Sequence, residues 1–198
     1  MRVKSDARRE AILEIAKDLF REVGYERASM AMISARVGGS KATLYSYFKS
    51  KEALFAAAMI AAMEEQADGL LDLLDADDTD LRAVLVRFGH AYLALLTSSD
   101  ALAITRTAIA EGTASGLGTE LYELGPRRGW SAVETYMRAL VERGALRRCD
   151  PHFAAGHLKG LLESGVMEPM LFGAPMEFPA DIGIAEAVDC FLRAYAAG

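Results

Sequence analysis

A chain of 198 residues, 52% hydrophobic and 25% charged, suits one compact domain, or a small one fused to a larger one, with a real buried core. Its two cysteines, Cys149 and Cys190, cannot build a disulfide framework, and Asp150, His152 and His157 around them show no zinc-ligand spacing. The net charge of −6 would disfavour nucleic acid if spread evenly, but residues 1–51 hold 11 Lys/Arg against 6 Asp/Glu, and residues 52–198 hold 11 against 22. A basic N-terminal quarter on an acidic body is the pattern of a phosphate-binding module joined to something else. Met1 leads straight into a charged segment without an apolar signal core, and no run of 18 apolar residues occurs. A cytoplasmic protein without a membrane partner is therefore expected.

Helix-period apolar patterns run almost end to end, and no stretch alternates like a strand, so the expected fold class is all-α. In the first helix Ile12, Ile15, Ala16, Leu19, Phe20 and Val23 share one face, and Gly24 stands where a left-handed C-cap favours glycine. Ser29 is placed to cap a short helix through about residue 37. Gly38-Gly39 breaks it, Ser40 can cap the next, and Lys49-Ser50 marks a further turn. A long helix is expected from Lys51 to about residue 74, ended by the acidic stretch Asp75–Asp80, in which Asp78 or Thr79 would cap the helix at about 80–98. Further helices are expected at about 101–113, 118–143, 151–172 and 180–196, with Gly125-Pro126 interrupting the second of these. This places a helix-turn-helix domain at 1–51 and a helical body at 52–198.

The chemistry lies between Ser29 and Glu52. Two short helices joined by a glycine turn form a helix-turn-helix, whose second helix can enter the major groove of DNA. Leu44 and Phe48, four apart, can face inward onto Phe20, Ile33 and Val37. That leaves Lys41, Thr43, Tyr45 and Tyr47, a cation, a hydroxyl and two amphipathic rings, for phosphates, base edges and thymine methyls. Lys49 and Lys51 are natural phosphate partners, and Ser29 and Ser40 add hydroxyls beside the N–H groups of helix starts. An isolated tyrosine more often packs and an isolated lysine is usually solvated; the whole constellation carries the reading.

Gly24-Tyr25, Ser29, Gly38, Ser40, Thr43-Leu44-Tyr45, Phe48 and Ser50-Lys51-Glu52 together resemble the DNA-binding domain of the tetracycline-repressor (TetR) family over about residues 8–56. The resemblance implies base and backbone contacts from Ser40, Lys41, Thr43, Tyr45 and Tyr47, and phosphate contacts from Ser29 and Lys51. Gly39 departs from the family pattern, which has an apolar residue there, commonly valine. A glycine adds unfolded-state freedom and should loosen the turn.

The acidic body is less sharply patterned. Ile109-Ala110-Glu111, Glu123–Gly129, Phe153–His157 and Gly160-Leu161-Leu162 are similar to the C-terminal domain of the AefR-like subgroup. That resemblance implies a small-molecule effector within the helical body and a homodimer through about 151–172 and 180–196. Candidate effector-lining residues are Met59, Met63, Phe88, Tyr92, Arg106, Tyr122, Trp130 and Met137, although aromatic and Met stripes are more often core. A buried arginine at 106 would need a partner. Ala154, Ala155, Gly156, Gly160 and Gly165 would permit close approach of a second subunit, with Phe153, Leu158, Leu161, Leu162 and Met167 as apolar anchors.

Other chemistries find no foothold. Asp72, Asp75, Asp77, Asp78 and Asp80 lack the calcium-loop order. His90, His152 and His157 show neither a paired nucleophile nor HExxH spacing, and no phosphate-cradling glycine loop occurs, so no catalytic residue, metal or cofactor is expected. The expected function is a ligand-responsive repressor that binds a palindromic operator in double-stranded DNA as a homodimer. The alternatives are an activator or effector-independent regulator, and a helical enzyme or ligand carrier with an incidental N-terminal motif.

Overall fold

The computed structural model describes residues 2–197, and side chains throughout that range except at 2–5, 64–66, 68 and 111–115; Glu111 of the AefR-like motif thus lies outside the described side chains. The helices in chain order are α1 (Arg2–Arg27), α2 (Met30–Val37), α3 (Lys41–Tyr47), α4 (Lys51–Leu71), α5 (Leu81–Leu96), α6 (Ser99–Ser115) and α7 (Leu117–Tyr122). A π-helical turn (Glu123–Arg127) follows, then α8 (Arg128–Glu142), α9 (Pro151–Glu163), α10 (Met167–Leu171) and α11 (Ala180–Tyr195). The described residues contain no strand beyond one isolated bridge between Leu146 and Ala196. The all-α expectation holds.

The chain forms two compact units, Met1–Glu65 with Thr107–Leu124, and Gln66–Arg106 with Gly125–Gly198. In the first, α1 buries Ile12, Leu13, Ala16, Leu19 and Phe20. Leu13 joins the expected stripe, while Ile15 and Val23 are only half-buried. Gly24 has the positive φ expected of it (79°), but its ψ of 162° is extended, so the chain bends there and helix resumes to Arg27. Phe20, Tyr25 and Phe55 then meet ring to ring, with centroids 4.8–6.1 Å apart, and tie α1 to the start of α4.

Gly39 sits in ordinary backbone, outside the left-handed region. A side chain built on it would meet only the Arg8 guanidinium, at 3.3 Å from Nη2, the far end of a flexible chain. Gly39→Ala is therefore expected to raise stability by about 0.4–1 kcal/mol, through a less free unfolded chain. Urea unfolding checks this. A loss of stability would mean that the Arg8 Nη2 bond to the Val37 carbonyl (3.3 Å) outweighs the gain.

The second unit is built on one apolar core from α5, α8, α9 and α11, centred on Phe88, Met137, Leu140, Leu158, Val188 and Phe191. Burying such side chains contributes roughly 1.5–3 kcal/mol each. Asp80, rather than Asp78 or Thr79, caps α5 by accepting the Ala83 N–H at 2.9 Å. The Asp78 carboxylate instead accepts the Asp80 N–H and so shapes the turn one step earlier. The expected interruption at Gly125-Pro126 is the π-helical turn: proline has no N–H to give the α-helical ladder, and the wider turn absorbs the loss.

The helix expected at 151–172 is two helices. Gly165, with φ +67°, breaks it, and its missing side chain makes room for Phe178, whose ring would lie 2.6 Å from a Cβ there. A Cβ on Gly183 would meet the same ring at 2.4 Å. Two glycines thus hold one phenylalanine, and Gly165 has a role in packing inside the subunit.

Candidate nucleic-acid interface

Two caps and one turn set the helix-turn-helix. Ser29 accepts the Met32 N–H (3.2 Å) and Ser40 the Thr43 N–H (3.1 Å), each satisfying a donor that a helix start leaves open. Between them Gly38 takes the left-handed conformation (φ 70°, ψ 40°) that ends α2. Buried Ser34 donates to the Gly39 carbonyl at 2.9 Å while its own carbonyl accepts the Gly39 N–H at 3.3 Å. Ser34 therefore clasps the turn from inside, a role its place in the sequence did not signal.

α3 divides as expected. Leu44 and Phe48 are buried, with Ile33 and Phe20 also in the interior of this unit. Lys41, Thr43 and Lys49 are exposed, Tyr45 is 43% exposed, and Tyr47 is half-buried. The exposed surface of α3 thus carries a cation, a hydroxyl and a ring, with a second cation, Lys49, just past its end, the donors and apolar surface that phosphates and base edges require. Thr43 and Ser40 share a hydroxyl hydrogen bond of 2.9 Å. Arg9 lies over the Phe48 ring, 5.4 Å from its centroid, and places another cation beside α3. In the sequence Arg8 and Arg9 read only as part of the polar faces of α1, mixed there with Glu10, Glu14 and Asp18.

Lys51 has a different setting from Lys41 and Lys49. Its ammonium donates to the Tyr25 carbonyl at 3.0 Å and lies 4.0 Å from the Tyr25 ring centroid, while the Tyr25 hydroxyl donates to Glu52 at 3.2 Å. The spacing of Gly24-Tyr25 and Ser50-Lys51-Glu52 therefore has a structural cause: the pair closes the end of α1 onto the start of α4. The Glu52 carboxyl is held below the usual range, first by its own backbone N–H, then by Ser50, with Tyr25 and Lys51 adding to it. A carboxyl depressed in the folded state adds stability above its unfolded pKa and loses it as pH falls through the folded value. Wild type is expected to exceed Glu52→Gln in stability at neutral pH, and the difference should vanish in acid. A difference that persists unchanged at acid pH contradicts the assignment.

The candidate effector residues fall in both units. Met59 is buried and Met63 half-buried in the first, where Tyr122 is 56% exposed. In the second, Phe88 and Tyr92 stack with centroids 5.7 Å apart, and Trp130 stands edge-on to both at 6.2 and 5.2 Å. Trp130 Nε1 donates to the Tyr92 hydroxyl at 3.2 Å, and that hydroxyl donates to Glu163, which also accepts from Lys159 at 2.6 Å. Burial first, then the Glu163 charge, pushes the Tyr92 hydroxyl far up, so it stays a neutral donor. Met137 is fully buried. Arg106 is exposed, not the buried arginine expected: it donates to the Leu171 and Met170 carbonyls at 3.0 and 2.5 Å and so closes the end of α10. Glu163 was missed because a lone glutamate near a helix end carries no sequence signal.

Along α9, Ala154, Ala155, Leu158 and Leu162 face the interior, so the two alanines serve packing within the subunit. Phe153 (62% exposed), Gly156, Gly160, Cys190 and Ala194 are open, and a shallow groove runs among Gly156, His157, Gly160, Leu161, Cys190, Phe191, Ala194 and Tyr195. Among the described residues no helix is long and apolar enough to cross a membrane.

Comparison with known proteins agrees with this geometry. Residues 12–58 match the model of bacterial regulatory proteins of the tetR family. Residues 83–197 match that of the AefR-like transcriptional repressor C-terminal domain. A TetR-family transcriptional regulator from Mesorhizobium loti is 25% identical, with 97% of this chain and 98% of that one covered and a TM-score of 0.85. The flavonoid-responsive regulator FrrA is 26% identical over 96% and 98%, with a TM-score of 0.76. A TetR transcriptional regulator from Agrobacterium tumefaciens is 28% identical over 96% and 95%, with a TM-score of 0.73. Capped helix, glycine turn and cation-bearing second helix, followed by an AefR-like body, make this chain a member of the TetR family of transcriptional regulators.

Proposed function

We propose that the chain is a homodimeric repressor that binds a palindromic operator and is released by a small-molecule effector. The exposed surface of α3, with Lys41, Thr43 and Tyr45 on the helix and Lys49 just past its end, anchored from behind by Leu44 and Phe48, carries this reading. Ser29, Ser40 and Tyr47 complete the DNA-facing set. Lys51 donates one N–H to the Tyr25 carbonyl, and the other two N–H groups of its ammonium are the ones it offers to phosphate. A second copy covers the open Phe153–Gly156–Gly160 face of α9 with Cys190 and Ala194 of α11, since small exposed residues between apolar ones let helices approach closely. The dimer then presents two α3 helices about 34–36 Å apart, or a multiple, to successive major-groove faces.

The name of FrrA, a flavonoid-responsive regulator of similar fold, supports release by an effector. In this chain the effector meets Phe88, Tyr92, Trp130 and Met137, where flat apolar area surrounds one neutral hydroxyl. It must bind the released conformation better than the DNA-bound one, and a coupling of about 1–3 kcal/mol lowers operator affinity roughly 5- to 150-fold. Selection from random duplexes with the purified protein tests the reading. An inverted repeat among the winners is the expected result; winners without a shared or symmetric sequence would overturn it.

A further inference from the structure

Within the second unit, a shallow cleft of about 280 Å³ lies among Leu71, Leu74 and Ala76 on one side and Ala132, Thr135, Tyr136 and Ala139 of α8 on the other. Its walls are apolar, and the three alanines leave it open. Tyr136 is 5% exposed, and its hydroxyl is buried without a hydrogen-bond partner among the described residues. A buried hydroxyl left unpaired costs about 1–3 kcal/mol, so native structures rarely keep one idle.

The polar groups nearby point their bonds elsewhere, and none of those described reaches the Tyr136 hydroxyl. Asp75 accepts the Asp77 N–H and Asp78 the Asp80 N–H, each at 2.8 Å. Arg87 pairs with the Asp78 carboxylate at 3.2 Å, and Arg143 donates to the Asp78 carbonyl at 2.8 Å. The Thr135 hydroxyl donates to the Ser131 carbonyl at 3.1 Å. Burial pushes the Tyr136 hydroxyl up to about 12, which keeps it a neutral donor at physiological pH.

We infer that this cleft binds a small, neutral, largely apolar molecule bearing one hydrogen-bond acceptor, such as an aryl ketone, which takes the Tyr136 proton. The site is separate from the Phe88–Tyr92–Trp130 cluster, and its existence does not depend on the effector reading. Leu71 and Leu74, both half-buried, are the side chains with room to yield as a ligand reaches the hydroxyl.

Calorimetric titration with 2-acetylnaphthalene and with its acceptor-free isostere 2-isopropenylnaphthalene tests the inference. Wild type should bind the ketone roughly 3- to 10-fold more tightly than the alkene, the worth of one neutral hydrogen bond. Tyr136→Phe should erase that preference while leaving alkene binding in place, and Ala139→Leu, which fills the cleft, should abolish both. Tyr136→Phe should also raise the melting temperature, because it removes an unsatisfied hydroxyl. Equal binding of the two probes, binding that survives Ala139→Leu, or a melting temperature that falls in Tyr136→Phe would each overturn it; the last would mean that a water already pairs the hydroxyl.

Discussion

Tyr45→Ala is expected to lower operator affinity by about 2–6 kcal/mol, roughly 30- to 20,000-fold, because a good base-edge contact is worth about 1–3 kcal/mol and a dimer loses two. The ring is 43% exposed, so its removal leaves no cavity. Folding stability should stay within about 0.5 kcal/mol of wild type, as for surface substitutions generally. The contrast gives the prediction its force: affinity collapses while the unfolding curve does not move. Leu44→Ala serves as the converse control, since that side chain is 2% exposed and its loss should destabilise the fold by about 2–5 kcal/mol. Anisotropy titrations on the selected duplex measure the first effect and urea unfolding the second. A drop of less than about threefold for Tyr45→Ala would remove that residue from the reading face.

Gly165→Ala is expected to destabilise the protein by about 2–5 kcal/mol, combining about 1–2 for a left-handed residue with a Cβ and about 1–3 for overpacking. The geometry leaves little escape. Phe178 would lie 2.6 and 2.7 Å from the new carbon through two ring atoms, and the same ring is closed in from the Gly183 side. The Gly165 carbonyl also accepts the Glu177 N–H at 3.0 Å, so the segment cannot shift without losing that bond. Gly165→Ala combined with Phe178→Ala should remove the clash and keep the φ penalty. Unfolding midpoints of the single and double variants separate the two contributions. A Gly165→Ala protein as stable as wild type would mean that the turn relaxes freely.

The reading unit was legible because its determinants are local. A serine that caps a helix bonds to an N–H three residues on, a glycine that ends one needs only its own φ, and Leu44 and Phe48 share a face by helical period alone. The same holds for the interruption at Pro126, where the chemistry of one residue decides. What escaped depends on contacts distant in sequence. The need for glycine at 165 comes in part from a ring 13 residues later, Phe178, which a Cβ there would meet, and helical period does not reveal that contact. Arg106 resembled a buried ligand partner because its acceptors, the Met170 and Leu171 carbonyls, lie 64 and 65 residues away. The bond of Lys51 to the Tyr25 carbonyl escaped because only the fold brings the two together. Ala154 and Ala155 were placed on a partner-facing surface because small residues suit close approach in either direction, and helical period alone does not say which face meets the subunit's own core.

The reading face of α3 is the centre of this account, and salt dependence tests it most directly. Titration of the selected duplex over a range of salt should show log affinity falling linearly with log salt. Each phosphate contact adds about 0.9 to that slope. The Lys41→Ala/Lys49→Ala protein, which removes four cations from the dimer, should show a slope shallower by up to about 3.6 with its fold unchanged. A slope identical to that of wild type would contradict the account and place the DNA-binding surface elsewhere on the chain.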